Sequence, residues 1–254
     1  MKLGIIGFPV EHSISPSLHQ PWLDTYAPGG TYGRFPLRPD EDIRTQVLDQ
    51  LARLDGANLT IPAKRAVLND LNLDDLAKRT GAVNTIFRMD GQLCGTNTDV
   101  VGFDAELSSL DVSTSGHHLI LGAGGAARAC AVALADRGAT SIDFGVRDPE
   151  RIRDFSSLRL PPHRWTSFNQ VRLDRYVSIT NTLPQLGYAH LDALNWSSLN
   201  PNAVFIDLNY WRDPPYRAVE FARRHRSSGR GMVMLREQAR AAFQHWTGCI
   251  PTIP

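Results

Sequence analysis

Two residues in the first hundred carry groups suited to proton transfer, Lys64 and Asp99. Pro62 disfavours a helical conformation at the residue before it and suits the first turn of a helix. Lys64 is therefore predicted to lie in a first helical turn, where the helix dipole opposes its positive charge. A carboxylate at Asp99 beside that amine would hold it in position and support its charged form. Such a pair could give or take a proton in a catalysed reaction.

Each member of this pair also has a simpler interpretation. A lysine at such a position is more often a solvated surface charge, because lysine is rarely buried. Thr98 or Asp99 would equally suit the cap of the helix that follows. The residues alone leave both interpretations open.

Ser13 and Ser15 lie two residues apart in a polar loop, so that their hydroxyls can point the same way. Two such hydroxyls could hold a carboxylate without a full counter-charge. Taken alone, the residues favour a simpler role, in which Ser15 caps the helix that begins near Pro16. His12 and His19 have no acidic or cysteine companions at ligand spacing, so no metal site is predicted.

A glycine turn stands in the middle of the chain, between an apolar run and an alanine-rich segment. The spacing Gly122-x-Gly124-x-x-Ala127 is the dinucleotide-binding fingerprint in its Gly/Ala form. Gly122 would permit the tight turn, Gly124 would let the backbone approach a pyrophosphate, and Ala127 would let the helix pack closely on the strand. The positive end of that helix would face the phosphates. Glycine turns also join strands to helices where no ligand binds.

The residues after the next strand bear on which nucleotide would bind. Arg147 and Arg151 could grip the 2′-phosphate of NADP from two sides. Asp148 has two interpretations. It could approach the ribose and favour NAD, or it could cap a helix that has Pro149 at its first position. Because Asp before Pro is a strong cap signal, we favour the second interpretation, and with it NADP.

The elements that must position these residues follow from apolar runs and from turn residues. Strands alternate with helices along the chain, which indicates the α/β class. A loop or irregular edge is expected at 158–168. Strands are predicted at 3–8, 31–37, 56–61, 81–86, 93–95, 118–121, 141–146, 175–180 and 203–207, and helices from about 16, at 41–54, 101–110, 124–137, 214–226 and 231–246.

Composition narrows the class of protein. The 254 residues are enough for one large domain or two modest ones, and 42% apolar with 21% charged residues is typical of globular proteins. A net charge of +1 argues against nucleic-acid and membrane partners. The cysteines lie far apart, which fits a reducing compartment. We expect no signal peptide, no spanning segment and a cytosolic location.

The ordered set of motifs resembles the shikimate dehydrogenase family. The motifs span almost the whole chain in the family's order, and jointly they are highly specific. They are HSISP at 12–16, NLTIPAK at 58–64, GAVNT at 81–85, NTD at 97–99, GAGGA at 122–126, DLNY at 207–210, MLREQ at 234–238 and WTG at 246–248.

The resemblance implies an α/β enzyme of two lobes that reduces 3-dehydroshikimate to shikimate with NADPH. The substrate lobe would comprise residues 1–100 and 231–254, because the C-terminal helix returns to it. The Rossmann-type nucleotide lobe would comprise residues 101–230. Hydride would pass across the cleft between the lobes, and the protein would be a monomer or homodimer with a small-molecule substrate.

The resemblance also implies roles for individual residues. Lys64 would be the acid/base and Asp99 its partner, and both would contact the substrate. The substrate carboxylate would bind Ser13 and Ser15, with Tyr210 nearby. The ring hydroxyls would be bound by Thr60, Asn84 and Gln238, together with Lys64 and Asp99. The cofactor would be bound by Gly122, Ala123, Gly124, Gly125, Ala126, Arg147, Arg151, Leu208 and Gly231.

Four positions depart from the family pattern. NADP-using members commonly show Asn-Arg-Thr where this chain has Val146-Arg147-Asp148. Gln185 is inserted in a loop expected to contact the cofactor, and Ala239 stands where the family usually has glycine. A methyl group at Ala239 so near the pocket, or the new positive charge of Arg240 beyond it, would alter substrate choice. NAD, and quinate or an amino-substituted analogue of shikimate, therefore stay as alternatives. A more distant alternative is a non-catalytic relative that binds the ligand.

Overall fold

The computed structural model describes residues 1–152, 155–210 and 228–252. Its contacts divide the chain into two compact units. Unit 1 is Met1–Gly102 with Leu235–Pro254, and unit 2 is Phe103–Met234. The chain passes from unit 1 to unit 2 inside one helix, α4 (Asp99–Ser109), and returns inside another, α6 (Met232–Thr247).

Unit 1 is built on a mixed sheet of six strands in the order β2-β1-β3-β5-β6-β4. β1 pairs in parallel with β2 and β3, β5 runs antiparallel to β3 and β6, and β4 is parallel to β6. The elements are β1 (Lys2–Gly7), α1 (Ser15–Tyr26), β2 (Thr31–Pro36), α2 (Ile43–Leu51), β3 (Gly56–Leu59), β4 (Asn72–Leu73), α3 (Asp75–Thr80), β5 (Thr85–Met89) and β6 (Gln92–Thr96).

Apolar side chains cover both faces of this sheet. Successive strand residues point to opposite faces, and β1 shows this directly. Leu3 and Ile5 pack with Trp22 of α1 and Phe243 of α6, whereas Ile6 packs with Val47 of α2. The two clusters fix the sheet between helices.

Unit 2 is a fully parallel sheet of six strands in the order β12-β11-β10-β7-β8-β9. From β7 the chain adds β8 and β9 on one side, and then adds β10, β11 and β12 on the other. This is the Rossmann order, and it reverses between β7 and β10. The elements are β7 (His117–Leu121), α5 (Gly125–Asp136), β8 (Ser141–Val146), β9 (Trp165–Ser167), β10 (Ser178–Asn181), β11 (Val204–Asp207) and β12 (Ser228–Gly229).

The segment after Pro62 differs from the prediction. Instead of a full helix, a 3₁₀ helix of three residues forms at Ala63–Arg65. The Lys64 carbonyl accepts a hydrogen bond from the Val83 N–H at 2.8 Å, so it does not continue a helical ladder. A single turn carries little of the dipole that would oppose the Lys64 charge.

Several other elements differ from their predicted bounds. The strand expected at 81–86 begins only at Thr85, because Gly81 ends α3 in a left-handed conformation with φ of 59°. Within 158–168, expected to be a loop or an irregular edge, Trp165–Ser167 forms the edge strand β9, and Trp165 stacks on Phe144. β10 begins at Ser178, not at 175. The predicted basic helix at 214–226 lies outside the described residues.

Within the described ranges, no helix combines the length and the apolar character needed to cross a bilayer.

Candidate active site

Four segments of unit 1 converge on one edge of its sheet. β1 and β3 are parallel neighbours, so the loop with Ser13 and the segment with Thr60 follow strands that end at the same edge. The antiparallel partners bring the start of β5, at Asn84, and the end of β6, before Asp99, to that edge too. Thr60 is half-buried there, and its N–H donates to the Ile6 carbonyl at 3.0 Å.

Lys64 and Asp99 meet at this edge. Lys64 Nζ lies 2.5 Å from Asp99 Oδ2, and the two side chains are only 15% and 9% exposed. Charges at this separation interact more strongly when little water screens them. Neither simpler interpretation holds, because Lys64 is not a free surface charge and the Asp99 carboxylate does not cap α4. At the start of this helix the Asp99 N–H donates to Asn97 Oδ1 at 3.2 Å.

Asn84 ties this ion pair to its surroundings. Its Nδ2 donates to Asp99 Oδ1 at 2.8 Å and to Thr98 Oγ1 at 2.9 Å, and its Oδ1 accepts from the Thr98 N–H at 2.7 Å. Gln238 Oε1 is a more distant acceptor for the same Nδ2, at 3.4 Å. Asp99 is thus held at one oxygen by Asn84, while the other oxygen holds Lys64.

The two serines of the N-terminal loop also come together. Ser13 Oγ and Ser15 Oγ are 3.1 Å apart, and Ser13 Oγ accepts from the Ser15 N–H at 3.3 Å. The expectation that Ser15 caps α1 is wrong, since Ser15 is the first residue of that helix and Ile14 is its cap. Arg34 adds a positive charge, because its Nη2 donates to the Ser13 carbonyl at 2.6 Å. Paired hydroxyls beside a guanidinium suit a carboxylate.

Unit 2 contains a cavity of about 690 Å³ at the point where its strand order reverses. Gly122 and Ala123 form one wall, and Gly122 has φ of 112°. A Cβ on Gly122 would lie 2.6 Å from Thr182 Oγ1, whereas a Cβ on Gly124 would meet nothing within 4 Å. Gly124 therefore leaves open space at the start of α5, where Gly125 and Ala126 form the first turn. Backbone N–H groups there suit an anion.

The end of β8 and the two residues after it form another part of the cavity wall. Val146, Arg147 and Asp148 all line it. Asp148 Oδ1 accepts from the Glu150 N–H at 3.1 Å, so Asp148 caps the short 3₁₀ helix Pro149–Arg151 as expected. The side chain of Arg151 lies outside the described part of the structure. Arg147 is the residue of this wall whose charge suits a 2′-phosphate.

The remaining predicted residues of unit 2 lie near the end of β11. The Leu208 N–H donates to the Asn181 carbonyl at 3.1 Å, and Tyr210 is half-buried two residues further on. Gly231 has φ of 63°, and a Cβ there would lie 3.1 Å from Leu208 Cα. The close approach that requires glycine at this position is thus an approach to the Leu208 backbone.

Comparison with known proteins identifies the family. The profile of the shikimate dehydrogenase substrate binding domain matches residues 5–86. A shikimate dehydrogenase (NADP(+)) of an Exiguobacterium species is 33% identical over 252 residues, which cover 99% of this chain and 94% of the relative. The chain belongs to the shikimate dehydrogenase family.

Solved structures of this family share the fold. Shikimate 5-dehydrogenase of Thermus thermophilus, in complex with NADP(H) and shikimate, has a TM-score of 0.83 and 30% identity, covering 99% of this chain and 95% of its own. Quinate dehydrogenase of Corynebacterium glutamicum, in complex with NAD, has a TM-score of 0.84 and 25% identity, covering 99% and 95%.

The structure shows where two of the departures from the shikimate dehydrogenase pattern, Ala239 and Gln185, lie. Ala239 is fully buried in the core formed by α1, β1 and α6, so the expectation that its methyl group reaches the substrate is wrong. Gln185 begins a 3₁₀ helix, Gln185–Ala193, that contributes Gly187 and His190 to the cavity wall.

Sequence reasoning missed several polar residues of this shikimate dehydrogenase site. Asn58 is buried at the end of β3, and its Nδ2 donates to the Asn84 carbonyl at 3.2 Å and to Thr85 Oγ1 at 3.1 Å. The sequence suggests Thr98 only as a cap, yet its hydroxyl bonds to Asn84. The available signal was spacing, because Asn58 and Thr60 lie two residues apart at the end of one strand.

Among the described residues, no group of three His, Cys, Asp or Glu side chains is arranged to hold a metal ion. His19 is fully buried among aromatic rings and stacks on Tyr32 with 4.5 Å between ring centroids.

Proposed function

We propose that this protein reduces 3-dehydroshikimate to shikimate with NADPH, reversibly. The observation that carries the proposal is the Lys64–Asp99 ion pair, nearly buried and joined through Asn84 to Gln238. The names of the relatives at 33% identity and of the liganded structure at 30% identity support the choice of substrate and nucleotide.

The substrate would be oriented by its charge and its hydroxyls. The Ser13 and Ser15 hydroxyls bind its carboxylate, with Tyr210 as a third contact. Thr60, Asn84 and Gln238 accept from or donate to its ring hydroxyls. Side chains with both donors and acceptors suit hydroxyl groups, which have both functions. This anchoring would hold the ring carbonyl against Lys64.

Reduction of a ketone to an alcohol needs a hydride at carbon and a proton at oxygen. Bound NADPH would supply the hydride. Lys64, as the ammonium, donates a proton from Nζ to the carbonyl oxygen while the C=O bond becomes a C–O single bond. Asp99 stabilises the ammonium before transfer and directs it. In the oxidation of shikimate, neutral Lys64 accepts the hydroxyl proton. General acid–base catalysis of this kind contributes about 10²–10⁴-fold to a rate.

The residues present fit the nucleotide. The open space over Gly124 and the first turn of α5 suit the pyrophosphate, with Gly122 and Ala123 beside it. Arg147 lines the same cavity and would pair with the 2′-phosphate. Leu208 and Gly231 would lie beside the nicotinamide.

The decisive experiment is a spectrophotometric assay of shikimate oxidation with NADP and, separately, with NAD. We expect nucleotide reduction with shikimate, and kcat/KM at least about tenfold higher for NADP than for NAD, because Arg147 would pair only with the 2′-phosphate. Binding of shikimate without any nucleotide reduction would identify a non-catalytic relative instead.

A second candidate is a dehydrogenase that acts on quinate or on an amino-substituted analogue of shikimate with NAD. The carboxylate of Asp148 in the cavity wall supports this candidate, and an NAD-bound quinate dehydrogenase shares the fold. Initial rates on all three substrates with each nucleotide separate the candidates.

A further inference from the structure

The buried carboxylate of Glu106 has no part in the chemistry described above. It lies in α4 and is only 2% exposed. Its two oxygens accept from the N–H groups of Gly231 at 3.2 Å and Met234 at 2.8 Å. These are donors at the beginning of α6, where the first N–H groups of a helix have no partner inside the helix.

α4 carries both this carboxylate and the proposed proton-transfer carboxylate. Asp99 and Glu106 are seven residues apart, which places them on one face of the helix, about two turns apart. Asp99 reaches α6 through Asn84, whose Nδ2 lies 3.4 Å from Gln238 Oε1. Glu106 reaches the same helix one turn before Gln238.

The amide of Gln238 takes its orientation from the first turns of α6. Gln238 Nε2 donates to the Leu235 carbonyl at 2.9 Å, and Leu235 directly follows the residue that Glu106 binds. The later turns of α6 are fixed independently, because Ala239 and Phe243 are buried in the core of unit 1. The position of the first turn of α6 therefore depends on Glu106 more than the position of the later turns does.

We propose that Glu106 is a positioning residue, which fixes the first turn of α6 and through it the substrate contact of Gln238. A carboxylate suits this place because both oxygens accept and because negative charge is favoured at a helix N-terminus. The inference rests on the proposed function of Gln238 as a substrate ligand.

The test is a double-mutant cycle of Glu106→Gln and Gln238→Ala, read as kcat and KM for shikimate with saturating NADP. Alone, Glu106→Gln is expected to lower kcat/KM about tenfold, since small misplacements of a substrate contact are costly. In the Gln238→Ala background, Glu106→Gln should lower kcat/KM by less than about twofold, because the two changes act through one contact. Equal losses in both backgrounds would overturn the proposal.

Glu237→Gln is the matched control. It removes a carboxylate from α6 that pairs with Arg240 across one helical turn, where the side chain of Arg240 is 40% exposed. We expect it to change kcat/KM by less than about twofold in either background. If Glu106→Gln does not fold, Glu106→Asp takes its place in the cycle, since it keeps the charge but cannot reach both donors.

Amide hydrogen exchange tests whether Glu106 fixes the first turn of α6, and it does not depend on enzyme activity. Glu106→Gln should raise exchange in peptide 231–238 about tenfold and leave peptide 239–247 unchanged, because a lost cap frays the first turn. Unchanged protection in 231–238 would refute the positioning role. If the wild-type protein were inactive on shikimate, the proposed function would be contradicted. The exchange result would still test the effect of Glu106 on the first turn of α6.

Discussion

Lys64 and Asp99 form the contact on which proton transfer would depend. We predict that Lys64→Ala leaves shikimate binding nearly unchanged and lowers kcat by at least about 10²-fold, because the proton donor is lost while the other polar contacts remain. Asp99→Asn should also lower kcat and leave the fold intact. Lys78→Ala removes an exposed lysine of α3 and serves as control. A Lys64→Ala protein with near-normal kcat would disprove the assignment.

The serine pair makes a different prediction, because it would act on binding. Ser15→Ala should raise KM for shikimate about tenfold, the cost of one hydrogen bond to a charged group, with a smaller effect on kcat. Ser17→Ala, on the exposed side of the same helix, should change neither. Steady-state kinetics at fixed NADP separate the two serines. Equal KM values for both variants would place the carboxylate elsewhere.

Arg147 would distinguish the two nucleotides. Arg147→Ala is expected to raise KM for NADP about tenfold or more and to leave KM for NAD within about twofold, since only NADP carries the 2′-phosphate. Arg172→Ala, which removes an exposed arginine paired with Asp174, is the control. A similar loss with both nucleotides would show that Arg147 acts on a part of the cofactor that they share.

At the scale of elements, the turn between β7 and α5 contains two glycines with different roles, one in the backbone conformation and one in the space left for the cofactor. Gly122→Ala forces φ of 112° on an alanine and brings its Cβ to 2.6 Å from Thr182 Oγ1, so the melting temperature should fall. Gly124→Ala meets open space at φ of −78°, so stability should be kept.

Cofactor affinity gives the complementary readout for the same two variants. Gly124→Ala should weaken NADP binding at unchanged melting temperature, because its methyl group occupies the space proposed for the pyrophosphate. Thermal unfolding and NADP titration of both variants test this contrast. Unchanged NADP affinity in Gly124→Ala would mean that the phosphates do not approach this residue.

At the scale of the whole molecule, stability should depend on pH through His19. Burial lowers the pKa of His19 from 6.5 to about 3. The unfolded chain therefore binds this proton more tightly, and the stabilisation present above pH 6.5 is lost as pH falls toward 3. Each pH unit in this window should cost about 1.4 kcal/mol of the free energy of unfolding.

A His19→Phe variant isolates this effect. Urea unfolding can be followed by tryptophan fluorescence, to which Trp22 and Trp246 of the same aromatic cluster contribute. The free energy of unfolding should fall more steeply between pH 6.5 and 4.5 in the wild type than in the variant. Burial also lowers the pKa of His118 and His245, but both remain in the variant. Parallel pH profiles for the two proteins would contradict the prediction.

Much of the fold follows from local patterns. β8 occupies the predicted residues. The apolar segment between Gly138 and Pro149 is too short for a helix of ordinary length, so a buried strand is the structure it favours. The helix expected after Pro62 did not form, because its Lys64 carbonyl is bound by Val83, 19 positions along the chain. A local pattern contains no information on such a distant partner.

By itself, the sequence determined the α/β class, the glycine turn and the candidate residues, because residue type and spacing fix turns, periodicity and chemical capability. Only the tertiary structure decided between the interpretations of Lys64, Asp99 and Ser15. Lys64 and Asp99 are 35 residues apart, and they meet because β3 and β6 end at one sheet edge. Strand order is set by packing over the whole unit. Because of that order, Lys64 and Asp99 form an ion pair and are not a surface charge and a helix cap.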